Sequence, residues 1–536
     1  MLTATPDYDR LYHDFRWNIP AEFNIAIAAC DRYADGSGRP ALIYCDEDGG
    51  VTRLSFDQIA AASRRFANVL CAAGLQRGDR VAVFLSQSIE LPIVHLAAFR
   101  AGLVSVPLFM LFGEDALEFR LRDSGAKAVV TDLAGAAKLL KIRDRLPALT
   151  HIYVTSTHAP AGTWAFWPAL QRATNQFATV ATAADDPAII IYTSGTTGNP
   201  KGALHAHRVL LGHLPNVEMV HDFFPKPGDV YWTPADWAWI GGLFDALFPA
   251  WYHGVPVVGY RARKFDAEGA IRLMAEHGVT CVFLPPTALK LMRQAGVRAN
   301  GVKLRSILTG GESLGAELLD WVRATFGIDA HEVYGQTECN LVIGNNAKLF
   351  PIRPGSMGRP TPGFDVRIVS RNGTELPRGQ RGIIAVRQPN PCTMLGYWNN
   401  PRATIAKFAG EYLLTGDLGI QDDDGYFWYV SREDDVITSA GYRIGPSEIE
   451  HTLLKHPAVA FAAVVGIPDP IRTEAIKAWL VLRPGFKGDD KLARSIQEFV
   501  KVQLAAHEYP RHIAFVDALP MTATGKVLRR DLRARG

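Results

Sequence analysis

The segment Thr193-Ser-Gly-Thr-Thr-Gly-Asn-Pro-Lys-Gly202 gathers four hydroxyl side chains, three glycines and one lysine. Glycines permit positive φ and let backbone N–H groups approach a ligand closely. Hydroxyl and N–H groups donate to phosphate oxygens, and a lysine adds a mobile positive charge. The chemistry is that of a polyphosphate cradle. The apolar run Pro187-Ala-Ile-Ile-Ile-Tyr192 before it reads as a buried strand. The P-loop of nucleoside triphosphatases needs a Ser or Thr directly after its Gly-Lys pair to hold Mg²⁺. Here Pro200 precedes Lys201 and Gly202 follows it, so that pattern fails.

The ordered string, with Tyr192 leading in and Lys201-Gly202 closing it, resembles the phosphate loop of the adenylate-forming enzymes. That family includes acyl- and aryl-CoA synthetases, luciferases and the adenylation domains of peptide synthetases. The resemblance covers roughly residues 20 to 530, with the major motifs in order. It implies that Thr193, Ser194, Gly195, Thr196, Thr197 and Lys201 hold the phosphates of ATP. It places Gly311, Glu312 and Ser313 of Thr309-Gly-Gly-Glu-Ser313 beside the adenine; a helix N-terminus capped by Ser313 is compatible with that role. In Val333-Tyr-Gly-Gln-Thr-Glu338 it brings Tyr334, Gly335, Gln336 and Thr337 to the nucleotide and makes Glu338 the Mg²⁺ ligand. The residue types suit those duties: a phenol stacks on a base, a hydroxyl donates to phosphate, and Mg²⁺ prefers carboxylate and phosphate oxygens.

The same resemblance sets Asp417 on the ribose, with Arg432 nearby, and Arg443 near the phosphates. Asp434 matches a hinge, and Gly441 with Tyr442 matches the segment that admits the thiol of CoA. Read without the resemblance, Glu433-Asp434-Asp435 is a solvated acidic turn. Lys526 in Pro520-Met-Thr-Ala-Thr-Gly-Lys526 matches the lysine that bridges the substrate carboxylate and the α-phosphate. Attack of one anion on another builds negative charge, which a preorganised cation stabilises. Arg529, Arg530, Arg533 and Arg535 read as a solvated basic tail.

The implied reaction has two steps, with Thr193, Glu338 and Lys526 as its catalytic residues. A carboxylate attacks the α-phosphate of Mg-ATP to give an acyl-AMP and diphosphate; CoA then takes the acyl group and AMP leaves. Acetate-specific relatives carry a tryptophan where this chain has Gly335, so a substrate larger than acetate is expected, each buried CH₂ being worth roughly 0.8 kcal/mol. Ala235-Asp-Trp-Ala-Trp-Ile-Gly-Gly242 matches a segment lining the acyl site, with Trp237, Trp239 and Gly242 as candidates and core packing as the rival reading for Trp237. Phe15 to Asn24 looks like the medium-chain acyl-CoA synthetase branch. A short- to medium-chain or branched fatty acid is expected, in fatty acid metabolism, with aryl acids second. An adenylating enzyme that loads a carrier protein and a non-catalytic binding protein are the rival functions. Acylation and deacylation of Lys526 would switch the first step.

The elements that must position these residues read as α/β. Asp79 to Leu85, Val104 to Leu108, Ala126 to Thr131, His151 to Thr155 and Val279 to Leu284 are strand-like, with helical patterns between them, including Ala267 to His277. Alternation of this kind predicts parallel sheets with crossover helices. From 355 to 430, short strands with Gly/Pro/Asn turns predict a small antiparallel barrel. After that, Ser447-Glu-Ile-Glu450 reads as a capping box and a helix is expected near 490–506. The architecture is a large N-terminal domain, 1–433, of two parallel βα subdomains plus the barrel. A small mobile α+β domain, 434–536, follows it.

A chain of 536 residues exceeds one core. A net charge of +3 gives no reason to expect nucleic acid as a partner. The six scattered cysteines lack metal-ligand spacing and fit a reducing compartment. Neither a targeting segment nor an apolar run of membrane-spanning length is evident, so the cytoplasm is the expected location. The sequence leaves the oligomeric state open.

Overall fold

The computed structural model describes residues 1–193, 200–261, 264–311, 314–433, 435–439, 442–469, 473–503, 509–522 and 526–536, and only the backbone of residues 438, 442, 443 and 448. Ser194, Gly195, Thr196, Thr197, Glu312, Ser313, Asp434 and Gly441 therefore lie outside the described residues, as do the side chains of Tyr442 and Arg443. The chain forms two units. The first takes in the chain up to residue 365 together with 386–408, and the second holds 366–385 and 409–536.

The first unit is built on two sheets. One runs in the order Gly396–Tyr397, Lys201–Ala206, Pro187–Thr193, Val104–Pro107, Arg80–Phe84, Ala128–Thr131, His151–Val154, Trp164–Ala165. From Pro187–Thr193 onward its neighbours are parallel. The crossovers include helices Glu90–Arg100, Glu114–Ser124 and Leu133–Ile142. Strands covered on both faces carry continuous apolar runs, and Ala188, Ile189, Ile190 and Ile191 are buried accordingly.

The other sheet of this unit has a parallel centre of Val257–Tyr260, Tyr231–Trp232, Cys281–Phe283, Ser306–Gly310 and Ala330–Gln336. Helices Ala267–Glu276, Pro286–Gln294 and Ala316–Phe326 connect its strands. The last begins at Ala316 with Gly315 as its N-cap. Each sheet is turned back by an antiparallel hairpin, Pro187–Thr193 with Lys201–Ala206 in one and Ala330–Gln336 with Asn340–Gly344 in the other. Ligands in α/β sheets gather at the carboxyl ends of parallel strands, which is where both hairpins turn.

Strands Val366–Val369, Arg381–Arg387, Tyr412–Gln421 and Phe427–Arg432 lie side by side in that order. Strand Tyr412–Gln421 carries Asp417 in its middle. The C-terminal part has strands Ile437–Ser439, Tyr442–Ile444, Val459–Asp469 and Thr473–Leu482, with His512–Phe515 added in parallel. Helix Asp490–Gln503 matches the one expected near 490–506. The predicted capping box at Ser447 does not form. Helix Pro446–Leu454 starts earlier, at Gly445, with no side-chain cap and with proline in its first turn, where a missing N–H costs nothing.

Candidate active site

At the mouth of the phosphate loop, Thr193 pairs with Lys201 across the hairpin, and its Oγ1 donates to the Lys201 carbonyl at 3.3 Å. The lysine thus begins the returning strand, where the ladder holds its backbone. In the second hairpin a bulge falls between Tyr334 and Gly335. A Cβ at Gly335 would stand 1.8 Å from the Asn340 carbonyl oxygen and 2.8 Å from the Leu341 Cα. Glycine is required there because the return strand passes directly over it. A side chain at Gly335 would meet the backbone of the return strand unless that strand moved. Asn340 makes the tight return possible with φ of 60°, and its Nδ2 donates to the Cys392 carbonyl at 2.9 Å.

Beyond the bulge, Gln336 accepts from Lys407 Nζ at 2.9 Å, and Thr337 is half-buried. Glu338 is only 8% exposed. Its carboxylate accepts a hydrogen bond from Tyr397 Oη, and Lys201 Nζ lies 5.4 Å from the centre of the Tyr397 ring. Lys201, expected on phosphate, and Glu338, expected on metal, thus share one tyrosine. Among the described residues no three His, Cys, Asp or Glu side chains converge as a metal site. A lone buried carboxylate suits Mg²⁺, whose other ligands are phosphate and water oxygens. Burial pushes the nearby His205 down to about 3, with His213 acting in the same direction and Glu338 against it.

Two residues before Tyr334, Glu332 is buried and accepts from the Leu314 N–H at 3.3 Å. Burial pushes its carboxyl up to about 8, with that hydrogen bond acting in the opposite direction. A carboxyl so perturbed beside a candidate nucleotide residue is a site candidate that the sequence did not expose.

The two tryptophans of the Ala235–Gly242 segment separate. Trp237 is wholly buried in the core, its ring end facing Gly259. Its packing there agrees with the core reading that the sequence offered beside the acyl-pocket one. Trp239 is half-buried, 5.6 Å from Phe283 between ring centres and close over Gly311. Gly242 packs against the Asp236 carbonyl so closely that a Cβ would stand 2.3 Å from it. Gln87 fastens this turn, donating to the carbonyls of Thr233 and Ala235 at 3.0 and 2.7 Å. Behind it, the π-helical stretch Leu243–Leu247 presents Asp245 to His213, Nδ1 to Oδ1 at 2.8 Å, both buried. Neither residue carries a sequence signal, since His213 sits in an apolar helix.

In the second unit, Asp417 and Arg432 face each other across their antiparallel strands, with Arg432 Nη1 donating to Asp417 Oδ1 at 3.1 Å. Lys526 is exposed; its N–H donates to Thr522 Oγ1 at 3.0 Å and its carbonyl accepts from the Thr522 N–H at 2.7 Å. The basic tail is not wholly solvated, contrary to expectation. Arg529 donates through one nitrogen to both oxygens of Glu450 at 2.7 Å and reaches Asp435 at 3.4 Å, while Arg533 donates to Asp435 at 3.0 Å. Burial raises the Glu450 carboxyl and Arg529 opposes that.

A profile of the family described as AMP-binding enzyme matches residues 31–398, and one described as AMP-binding enzyme C-terminal domain matches 448–526. The chain is 36% identical to the mitochondrial acyl-coenzyme A synthetase ACSM3 of Mus musculus, over 99% of this chain and 94% of that one. It is also 36% identical to an acetyl-coenzyme A synthetase of Bacillus subtilis, over 98% and 95%. A crystal structure of a Brucella canis acyl-CoA synthetase superposes with a TM-score of 0.77 at 35% identity, covering 99% of this chain and 98% of the other.

Proposed function

The chain belongs to the AMP-binding enzyme family as an AMP-forming acyl-coenzyme A synthetase, and from that premise we propose how its own residues divide the work. The enzyme joins a carboxylic acid to CoA at the expense of ATP, through an acyl-adenylate, releasing AMP and diphosphate. No protein nucleophile is needed, so catalysis rests on positioning and electrostatics.

Thr193, Ser194, Gly195, Thr196, Thr197 and Lys201 hold the phosphates, and Lys201 steadies the departing diphosphate. Tyr334 stacks on the adenine, flanked by Gly311, Glu312 and Ser313 and by the buried carboxyl of Glu332. Gln336 and Thr337 meet the α-phosphate. Glu338 holds Mg²⁺, which supplies positive charge to the phosphate oxygens when bound. Asp417 takes the ribose hydroxyls, with Arg432 and Arg443 on the nucleotide. Lys526 supplies the cation for adenylation. The segment after residue 434 then turns about Asp434 so that Gly441 and Tyr442 admit the thiol. The observation that carries this assignment is the Lys201, Tyr397 and Glu338 cluster, which unites a phosphate cation and a metal carboxylate.

The acid we favour is a short- to medium-chain or branched fatty acid, used in lipid metabolism. The apolar wall of Trp239 and Phe283 supports it. The same aromatic pair favours an aryl acid as the second reading. No two of the six cysteines are joined in a disulfide, which supports a reducing compartment, and we favour the cytoplasm. Among the described residues no helix is long and apolar enough to cross a membrane. Acylation of Lys526 would remove its charge and stop the first step.

CoA-dependent AMP formation across an acid panel tests the reading. We expect KM to fall about fourfold for each CH₂ added beyond acetate until the pocket is full, the equivalent of roughly 0.8 kcal/mol. A KM lowest for acetate would refute the chain-length assignment, and acid-dependent diphosphate release with no AMP formation on adding CoA would favour a carrier-protein acceptor.

A further inference from the structure

We propose that Tyr397 is a positioning residue for adenylation: its hydroxyl fixes the Glu338 carboxylate for metal, and its ring seats the Lys201 ammonium. The inference rests on Glu338 being the metal carboxylate. Its own ground is the way the chain brings Tyr397 to that point.

Gly396–Tyr397 adds a short antiparallel strand to Lys201–Ala206, with Gly396 opposite Leu204 and Tyr397 opposite Ala203. The flanking bonds are short: the Leu395 N–H donates to the Leu204 carbonyl and the Trp398 N–H to the Gly202 carbonyl, each at 2.7 Å. One residue earlier, the Met394 N–H donates to the Glu338 carbonyl at 2.9 Å. The same five-residue stretch is therefore stitched to the returning strand of the phosphate loop and to the Glu338 turn. Thr404 Oγ1 accepts from the Tyr397 N–H at 2.8 Å, and Trp398 Nε1 donates to the Asp123 carbonyl at 2.9 Å. The phenol is 7% exposed, so its hydroxyl is committed to an interior partner, and the bond to Glu338 supplies one.

A glutamate on a turn has three side-chain torsions to fix before it can hold an ion. A buried donor that grips one carboxylate oxygen removes much of that freedom before metal or ATP arrives. Residues that orient a metal ligand in this way are worth roughly 10- to 100-fold in metal affinity or activity. The ring adds a second link. An ammonium over a phenol face gains from the ring quadrupole, so the ring holds Lys201 near its working place.

Tyr397→Phe deletes the hydroxyl while keeping the ring and its contact with Lys201. Mn²⁺ binding to the full-length enzyme with ATP, followed by electron paramagnetic resonance, reads the metal directly. Mg²⁺ titration of acid-dependent diphosphate–ATP exchange reads its use. We expect both constants to weaken roughly 10- to 100-fold, with the exchange rate recovering at high Mg²⁺. Glu338→Gln, run alongside, should be at least as impaired, and Tyr397→Phe should add nothing further in its background. Wild-type metal constants in Tyr397→Phe with impaired Glu338→Gln would overturn the role of Tyr397 alone. Wild-type constants in both would overturn the reading of Glu338 itself. Should the phenylalanine variant lose its fold, 3-fluorotyrosine at 397 keeps the shape and makes the hydroxyl a stronger donor. A shift of twofold or more in Mn²⁺ affinity then supports the proposal, and an unchanged affinity overturns it.

Discussion

Replacing Glu332 by Gln should make the first unit more stable at alkaline pH, and the gain should vanish in acid. Burial pushes the Glu332 carboxyl from its ordinary 4.5 up to about 8. An acid with a raised pKa binds its proton more tightly when folded than when unfolded. Between pH 4.5 and 8 the folded state therefore carries more of that proton, and stability falls as pH rises. Above pH 8 the loss is complete. A difference of about 3.5 units at 1.36 kcal/mol each sets a ceiling of roughly 5 kcal/mol. Water entry around the ionised group reduces this to a few kcal/mol in practice. Glutamine keeps an oxygen to accept from the Leu314 N–H, which the glutamate meets at 3.3 Å, and carries no charge at any pH. Urea unfolding of both proteins from pH 5 to 9 checks this. The variant-minus-wild-type difference should grow between pH 5 and 8 and then level off. A difference that stays constant with pH would refute the reasoning, because titration of every other group cancels in the comparison.

Gly335→Ala should destabilise the first unit by roughly 2–4 kcal/mol, because the added Cβ would overlap the Asn340 carbonyl oxygen at 1.8 Å; a thermal midpoint equal to wild type would show that the hairpin yields freely. Arg529→Ala leaves Glu450 buried with its charge partner gone and should cost about 3–5 kcal/mol in the second unit. Limited proteolysis of 409–536 would show the loss, and unchanged protection would count against a buried pair. Lys526→Ala should slow acid-dependent diphosphate–ATP exchange by roughly 10²- to 10³-fold while leaving conversion of supplied acyl-AMP and CoA to thioester nearly intact. Equal loss in both half-reactions would remove Lys526 from its assigned role.

Much of this was legible in the sequence because it is local. Apolar runs such as Ala188 to Ile191 announce parallel strands, and the Gly-rich segment after Thr193 announces the turn between two paired strands. What stayed hidden depends on distant pairing. Tyr397 meets Glu338 across 59 positions and Arg529 meets Glu450 across 79, and nothing in either neighbourhood marks the partner. Local composition also could not say which of two nearby tryptophans faces the core. That was decided by Gly259, whose bare backbone lets Trp237 close over its strand and leaves Trp239 partly open. Ser447 and Glu450 fit a capping box by spacing, yet proline at 446 starts the helix earlier and Glu450 turns to Arg529. Glu332 reads as an ordinary strand carboxylate until its burial is known.

An acyl-adenylate route requires that the acid's own oxygen attack the α-phosphate. Supplying carboxylate labelled with ¹⁸O, together with ATP and CoA, tests it by mass spectrometry of the products. One labelled oxygen should appear in AMP, the other should remain in the thioester carbonyl, and the diphosphate should carry none. Label in diphosphate or phosphate, or AMP without label, would contradict an acyl-adenylate route.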